Sequence, residues 1–137
     1  MDLTQLGSIR AKLESMRPQV IINASAYTAV DQAEQETELA LAVNRDAVGE
    51  IASYCAAVDA VLIHVSTDYV FDGAANAPYV ETADTNPQGA YGASKLAGEQ
   101  AIAASGCRHL IIRTAWVFSP YGPVSYTHLT LPTISDV

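Results

Sequence analysis

Ala60-Val61-Leu62-Ile63-His64-Val65 is the stretch whose reading decides the fold. A short apolar run without alternation, rich in β-branched residues, reads as a strand buried on both faces. Two more runs of the same kind flank it, Val20-Ile21-Ile22-Asn23-Ala24 upstream and His109 to Thr114 downstream. Helical spacing fills the intervals. Leu6, Ile9, Leu13 and Met16 recur on one face before Pro18, and residues 31–57 are helical in character with Leu39, Val43, Val48, Ile51 and Cys55 predicted inward. A third helix is predicted from about Gly89 to Ser105, with Gly106 ending it in a left-handed conformation. Helices alternating with buried strands predict an α/β domain, a doubly wound parallel sheet covered on both faces.

Composition narrows the class. The 137 residues are half hydrophobic and 16% charged, enough for one packed domain and unlike a disordered chain. Fifteen Asp and Glu against seven Lys and Arg give a formal charge of −8, which argues against a nucleic-acid partner needing a basic stripe. Cys55 and Cys107 stand apart and read as buried thiols of a cytoplasmic protein. His64, His109 and His128 show no metal-ligand spacing, so no metal site is predicted. Asp31, Glu34, Glu36 and Glu38 read as a solvated helix face. Neither an opening signal peptide nor a membrane-length apolar run is predicted, and a membrane partner is not expected.

Chemistry concentrates at the ends of the strands. Tyr91-Gly-Ala-Ser-Lys95 places a phenol and an ammonium four residues apart on one helix face. A cation beside a phenol favours its ionised form, so Lys95 is expected to lower the Tyr91 pKa and fit Tyr91 for proton transfer. The plain alternative is a surface tyrosine and lysine that happen to fall four apart. Val65-Ser-Thr-Asp-Tyr-Val-Phe-Asp-Gly73 leaves the central strand at its carboxyl end, where ligands gather in doubly wound sheets. Thr67 there is either a donor to a substrate carbonyl or an ordinary cap on its own backbone. Asn23-Ala-Ser-Ala-Tyr-Thr28 leaves the preceding strand with small residues that let a ligand approach.

Together with Arg113-Thr-Ala-Trp-Val117 and Tyr91-Gly-Ala-Ser-Lys-Leu-Ala-Gly-Glu99, these segments resemble the dTDP-4-dehydrorhamnose reductase family of the extended short-chain dehydrogenase/reductases. The resemblance runs from about Asp2 to Gly122. It implies a partial Rossmann-like sheet, lacking the first strands and the C-terminal substrate segment, and reduction of the C4 ketone of dTDP-4-dehydro-β-L-rhamnose by NADPH or NADH. It makes Tyr91 the proton donor, has Lys95 hold the nicotinamide ribose, and has Thr67 polarise the ketone with Asp68 beside it. Trp116 would border the sugar. Asp2, Leu3, Ala26, Tyr27, Thr28 and Val65 match cofactor contacts. The dTDP-sugar is the implied partner; a homodimer and Mg2+ belong to the full-length family, with no ligand set identifiable in this chain.

Departures from the family pattern are equally plain. The eight glycines form no Gly-x-x-Gly-x-x-Gly turn, so the backbone cradle for a pyrophosphate is missing from the sequence. Residues 1–123 read as the partial cofactor-binding domain. Residues 124–137 do not continue the family and resemble translated adapter sequence, which predicts a non-native tail. Two other readings share the fold: a non-catalytic regulatory subunit like that of methionine adenosyltransferase, and another nucleotide-sugar epimerase or dehydratase.

Overall fold

The structure, a computed structural model, describes residues 2–115 and 117. Its elements are α1 (Leu6–Met16), β1 (Val20–Asn23), α2 (Val30–Ala33), α3 (Thr37–Leu41), a π-helical turn (Ala42–Asp46), α4 (Ala47–Val58), β2 (Val61–Thr67), a 3₁₀ turn (Asp68–Val70), α5 (Ala90–Ser105) and β3 (Arg108–Thr114). The three strands are parallel in the order β1-β2-β3, with Val20 opposite Val61 and Val61 opposite Arg108. That confirms the α/β parallel sheet.

Each strand pair is joined through helices, and right-handed crossovers that step the same way across a sheet put those helices on one face. The core lies there. Ile9 and Leu13 of α1, Val48, Ile51, Ala52 and Cys55 of α4, Leu62 of β2 and Ile102 of α5 form one buried cluster. The opposite face carries Val20, Ile22, Leu110 and Ile112, which are 52%, 69%, 54% and 42% exposed. Among the described residues the sheet is therefore covered on one face, not two. The strands alternate in burial, although their sequences read as continuous apolar runs.

Helix ends follow local chemistry. Gly106 closes α5 with φ 71°, as the sequence predicts, but Arg17 and Asp59 close α1 and α4 with φ 46° and 56° and no glycine. Within 31–57 the helix is interrupted by the π-helical turn. Ala40 and Asn44 take the inward slots there, while Leu39 is 40% exposed and Val43 half-buried, against the expectation for both. Val48, Ile51 and Cys55 do point inward, and both thiols are buried and free. Hydropathy alone picks Leu39 and Val43; the buried slot at 44 instead needs a hydrogen-bonding side chain.

Two glycines let α5 come close to its neighbours. A Cβ on Gly92 would lie 2.3 Å from the Tyr69 carbonyl oxygen, and one on Gly98 would lie 2.1 Å from that of Asn44. Side chains at either position would push α5 away from the end of β2 or from the π-helical turn.

Candidate active site

The carboxyl end of β2 delivers Val65, Ser66 and Thr67 in sequence, and the 3₁₀ turn adds Asp68. Thr67 is buried; its hydroxyl accepts the Tyr69 N–H at 3.2 Å, lies 3.2 Å from Asp68 Oδ1, and stands beside the Tyr91 hydroxyl, near enough to act on its pKa. Both sequence readings of Thr67 thus hold at once: it caps its own backbone and meets Tyr91. The Tyr69 and Tyr91 rings pack edge to face, centroids 5.6 Å apart. Tyr91 stands in the first turn of α5, whose N-terminus is capped from outside by Glu34 Oε1 accepting the Ala90 N–H at 2.7 Å. The Glu36 carboxylate likewise takes the Tyr27 hydroxyl at 2.5 Å, so two of the four acidic residues read as a solvated face have partners.

One turn along α5, Lys95 is fully enclosed. Its Nζ donates to the Val65 carbonyl at 2.8 Å and lies 3.3 Å from His64 Nε2. Burial brings its pKa down to about 8, opposed by the charge of Glu99. The Tyr91 pKa goes the other way from the expectation. Burial raises it above the ordinary tyrosine value, the Thr67 hydrogen bond works against that rise, and the Asp68 charge adds to it. Lys95, whose Nζ is directed at the Val65 carbonyl and His64, is not among the groups that shift it.

Asn44, in the π-helical turn, ties the loop after β1 to α5. Its Oδ1 accepts the Tyr27 N–H at 2.9 Å, and its Nδ2 donates to the Tyr27 carbonyl at 3.1 Å and to Ser94 Oγ at 2.9 Å. Ser94 in turn donates to the Tyr91 carbonyl at 2.7 Å. Ala26 and Tyr27 are half-buried in that loop and Thr28 is exposed. Behind the site, Glu99 accepts Ser66 Oγ at 2.5 Å and Arg113 Nη2 at 2.7 Å, and the Arg113 guanidinium sits 4.9 Å over the Phe71 ring. This anchors the loop after the 3₁₀ turn, where Phe71 stacks on Tyr79 at 4.3 Å.

Tyr91, Lys95, Thr67, Asp68 and Val65 are thus brought to one place, with Ala26–Thr28 held by a shared tether. Asp2 is exposed and bonds locally to Thr4, while Leu3 packs on the core; neither shares a described hydrogen bond with this cluster. Trp116 lies outside the described residues, as does the stretch 124–137. The sequence reading missed Asn44, Glu99 and the pairing of His64 with Lys95. The available signal for each was a polar residue on a face otherwise apolar, or, for Glu99, a four-residue step beyond Lys95.

The model of the RmlD substrate binding domain family matches residues 1–129. The chain belongs to this family. A dTDP-4-dehydrorhamnose reductase of Sinorhizobium fredii is 46% identical over 121 residues, covering 88% of this chain and 41% of that relative. A solved dTDP-4-dehydrorhamnose reductase of Bacillus anthracis, in complex with NADP, superposes with a TM-score of 0.86 at 38% identity, over 90% of this chain and 44% of that one. A UDP-glucose 4-epimerase of Brucella ovis gives a TM-score of 0.73 at 20% identity, over 82% of this chain and 36% of that one, which shares the fold alone. The chain therefore spans less than half the length of these family members. Among the described residues no group of three or more His, Cys, Asp and Glu could hold a metal ion, and no helix is long and apolar enough to cross a membrane.

Proposed function

We propose that this segment carries the proton-transfer centre of a reductase that converts dTDP-4-dehydro-β-L-rhamnose to dTDP-β-L-rhamnose with NADPH or NADH. The observation that carries it is the meeting of Tyr91 and Thr67 above the buried Lys95. A ketone oxygen near the two hydroxyls accepts one hydrogen bond from Thr67 and another from Tyr91. As negative charge grows on that oxygen, Tyr91 releases its proton to it. A raised phenol pKa suits this direction, since it keeps the proton on Tyr91 until the alkoxide forms.

The residues fit the nicotinamide-ribose half of such a cofactor. Lys95 carries more N–H groups than the Val65 carbonyl uses, so a ribose hydroxyl has a donor waiting in a site shielded from water. The loop Ala26–Thr28 would run along the cofactor, fixed by Asn44. When bound, the nicotinamide supplies the hydride. Asp68 and Trp116 are assigned to the sugar nucleotide. The shared likeness to dTDP-4-dehydrorhamnose reductases, with Thr67, Tyr91 and Lys95 all present, favours this reading over a non-catalytic subunit.

The test is a chimera in which the matched segment replaces the corresponding 121 residues of the Sinorhizobium fredii relative. NADPH oxidation that depends on the dTDP-4-dehydro sugar supports the assignment. A folded chimera that binds NADPH and turns nothing over removes it.

A further inference from the structure

Glu99 is a buried acid that the reductase chemistry leaves without a task. It stands on α5 four residues beyond Lys95, on the same helix face. Both of its carboxylate oxygens are used. Oε1 accepts Ser66 Oγ at 2.5 Å and Arg113 Nε at 3.1 Å, and Oε2 accepts Arg113 Nη2 at 2.7 Å. Ser66 and Arg113 are register partners across β2 and β3, and Thr114 Oγ1 donates to the Ser66 carbonyl at 2.9 Å. One side chain of α5 therefore grips the carboxyl ends of two strands. On β2 the grip falls between Val65, whose carbonyl receives Lys95 Nζ at 2.8 Å, and Thr67.

Charge adds to the grip. Enclosure away from water disfavours the cationic form of Lys95, and the Glu99 carboxylate one turn on favours it. The other titratable groups around Lys95 do not supply that support. On α5, Tyr91 is a neutral phenol with its pKa raised. From β2, His64 is neutral, its pKa brought down to about 4 by burial and by the lysine, and the β1 residue behind it is the uncharged Asn23. From β3, Arg113 is bound to Glu99, and Asp68 of the 3₁₀ turn acts on Tyr91. We propose that Glu99 is a positioning residue for Lys95, clamping α5 to the strand that receives the lysine head group and holding that head group cationic at the Val65 carbonyl. Its purpose rests on the reductase reading, in which Lys95 meets the nicotinamide ribose; its geometry does not.

Carbon NMR of the lysine-labelled 137-residue chain reads the effect, since Lys12 and Lys95 are the only lysines and Lys12→Arg assigns the signals. The parent midpoint of Lys95 is expected at about 8. Glu99→Gln keeps the size of the side chain and removes its charge, so the midpoint should fall by about one pH unit. A merely structural Glu99 predicts the reverse, because a loosened clamp admits water to Lys95 and lifts the midpoint toward the ordinary 10.5. An unmoved or raised midpoint in folded Glu99→Gln therefore overturns the proposal. If circular dichroism shows Glu99→Gln unfolded, Glu99→Gln/Arg113→Met removes the pair as a unit, and the same fall is required of it. In the Sinorhizobium fredii chimera, the alkaline limb of the pH–rate profile should move down with the Lys95 midpoint; a limb that stays in place counts against the positioning role. A chimera that turns nothing over removes the reductase reading and leaves the NMR midpoint to decide. An unmoved midpoint beside an active chimera does the opposite.

Discussion

Replacing Gly98 and Gly49 by alanine, one at a time, gives the same chemical change with opposite outcomes. Both glycines lie inside helices, α5 and α4, where alanine is favoured by about 1 kcal/mol from propensity alone. At Gly49 the new methyl would meet Ala101 Cβ at 3.6 Å, an ordinary contact, so the full gain is available. At Gly98 it would meet the Asn44 carbonyl oxygen at 2.1 Å, and that oxygen is backbone in a helical turn, unable to swing aside. Moving α5 outward by about an ångström costs roughly 3 kcal/mol at the upper end of the overpacking range. The net expectation is a loss of about 2 kcal/mol for Gly98→Ala and a gain of up to about 1 kcal/mol for Gly49→Ala. Urea unfolding followed by far-UV circular dichroism measures both. Equal signs, or a stabilised Gly98→Ala, would refute the claim that close backbone approach fixes α5.

Tyr91→Phe in the chimera should lower turnover by about 10² or more and leave NADPH affinity nearly unchanged, as stopped-flow turnover and fluorescence titration would show. His64 has a folded-state pKa of about 4 against an ordinary 6.5, so the unfolded chain takes up a proton first. Its contribution is present above pH 6.5 and is lost as pH falls to 4, on the order of 3 kcal/mol. The difference in urea midpoint between the parent and His64→Gln should follow that window. Glu99→Gln should cost about 3 kcal/mol in the same assay, because Arg113 loses a buried partner. Arg113→Met added to it should recover part of the loss, which an additive double variant would contradict.

The strands, α1, α5 and the end of α5 at Gly106 were legible because apolar runs and helical spacing are local signals. The open face of the sheet was not. Val20-Ile-Ile-Asn23 reads the same whether Ile22 meets a second layer within these residues or none. Tyr91, Lys95, Thr67 and Asp68 were legible as a cluster because spacing and strand ends place them together. The wiring beneath them was hidden, since the partner of a buried Asn44, His64 or Glu99 is 31 to 50 residues away in the sequence. The direction of the Tyr91 pKa was missed because sequence spacing shows that a lysine is near, but not that the phenol is buried beside Asp68.

One helix carries the phenol, the lysine, the serine that meets Asn44, both tight glycines and the carboxylate that grips Arg113. The α5 side of the centre is consequently a single rod set into a socket that holds Thr67 and Asp68. Its internal distances are invariant to how the strands shear or splay; what can drift is the seating depth. Evolutionary or designed changes on the surrounding framework would then tune how the whole rod meets its ligand, and would rarely alter the spacing of the reacting groups along it.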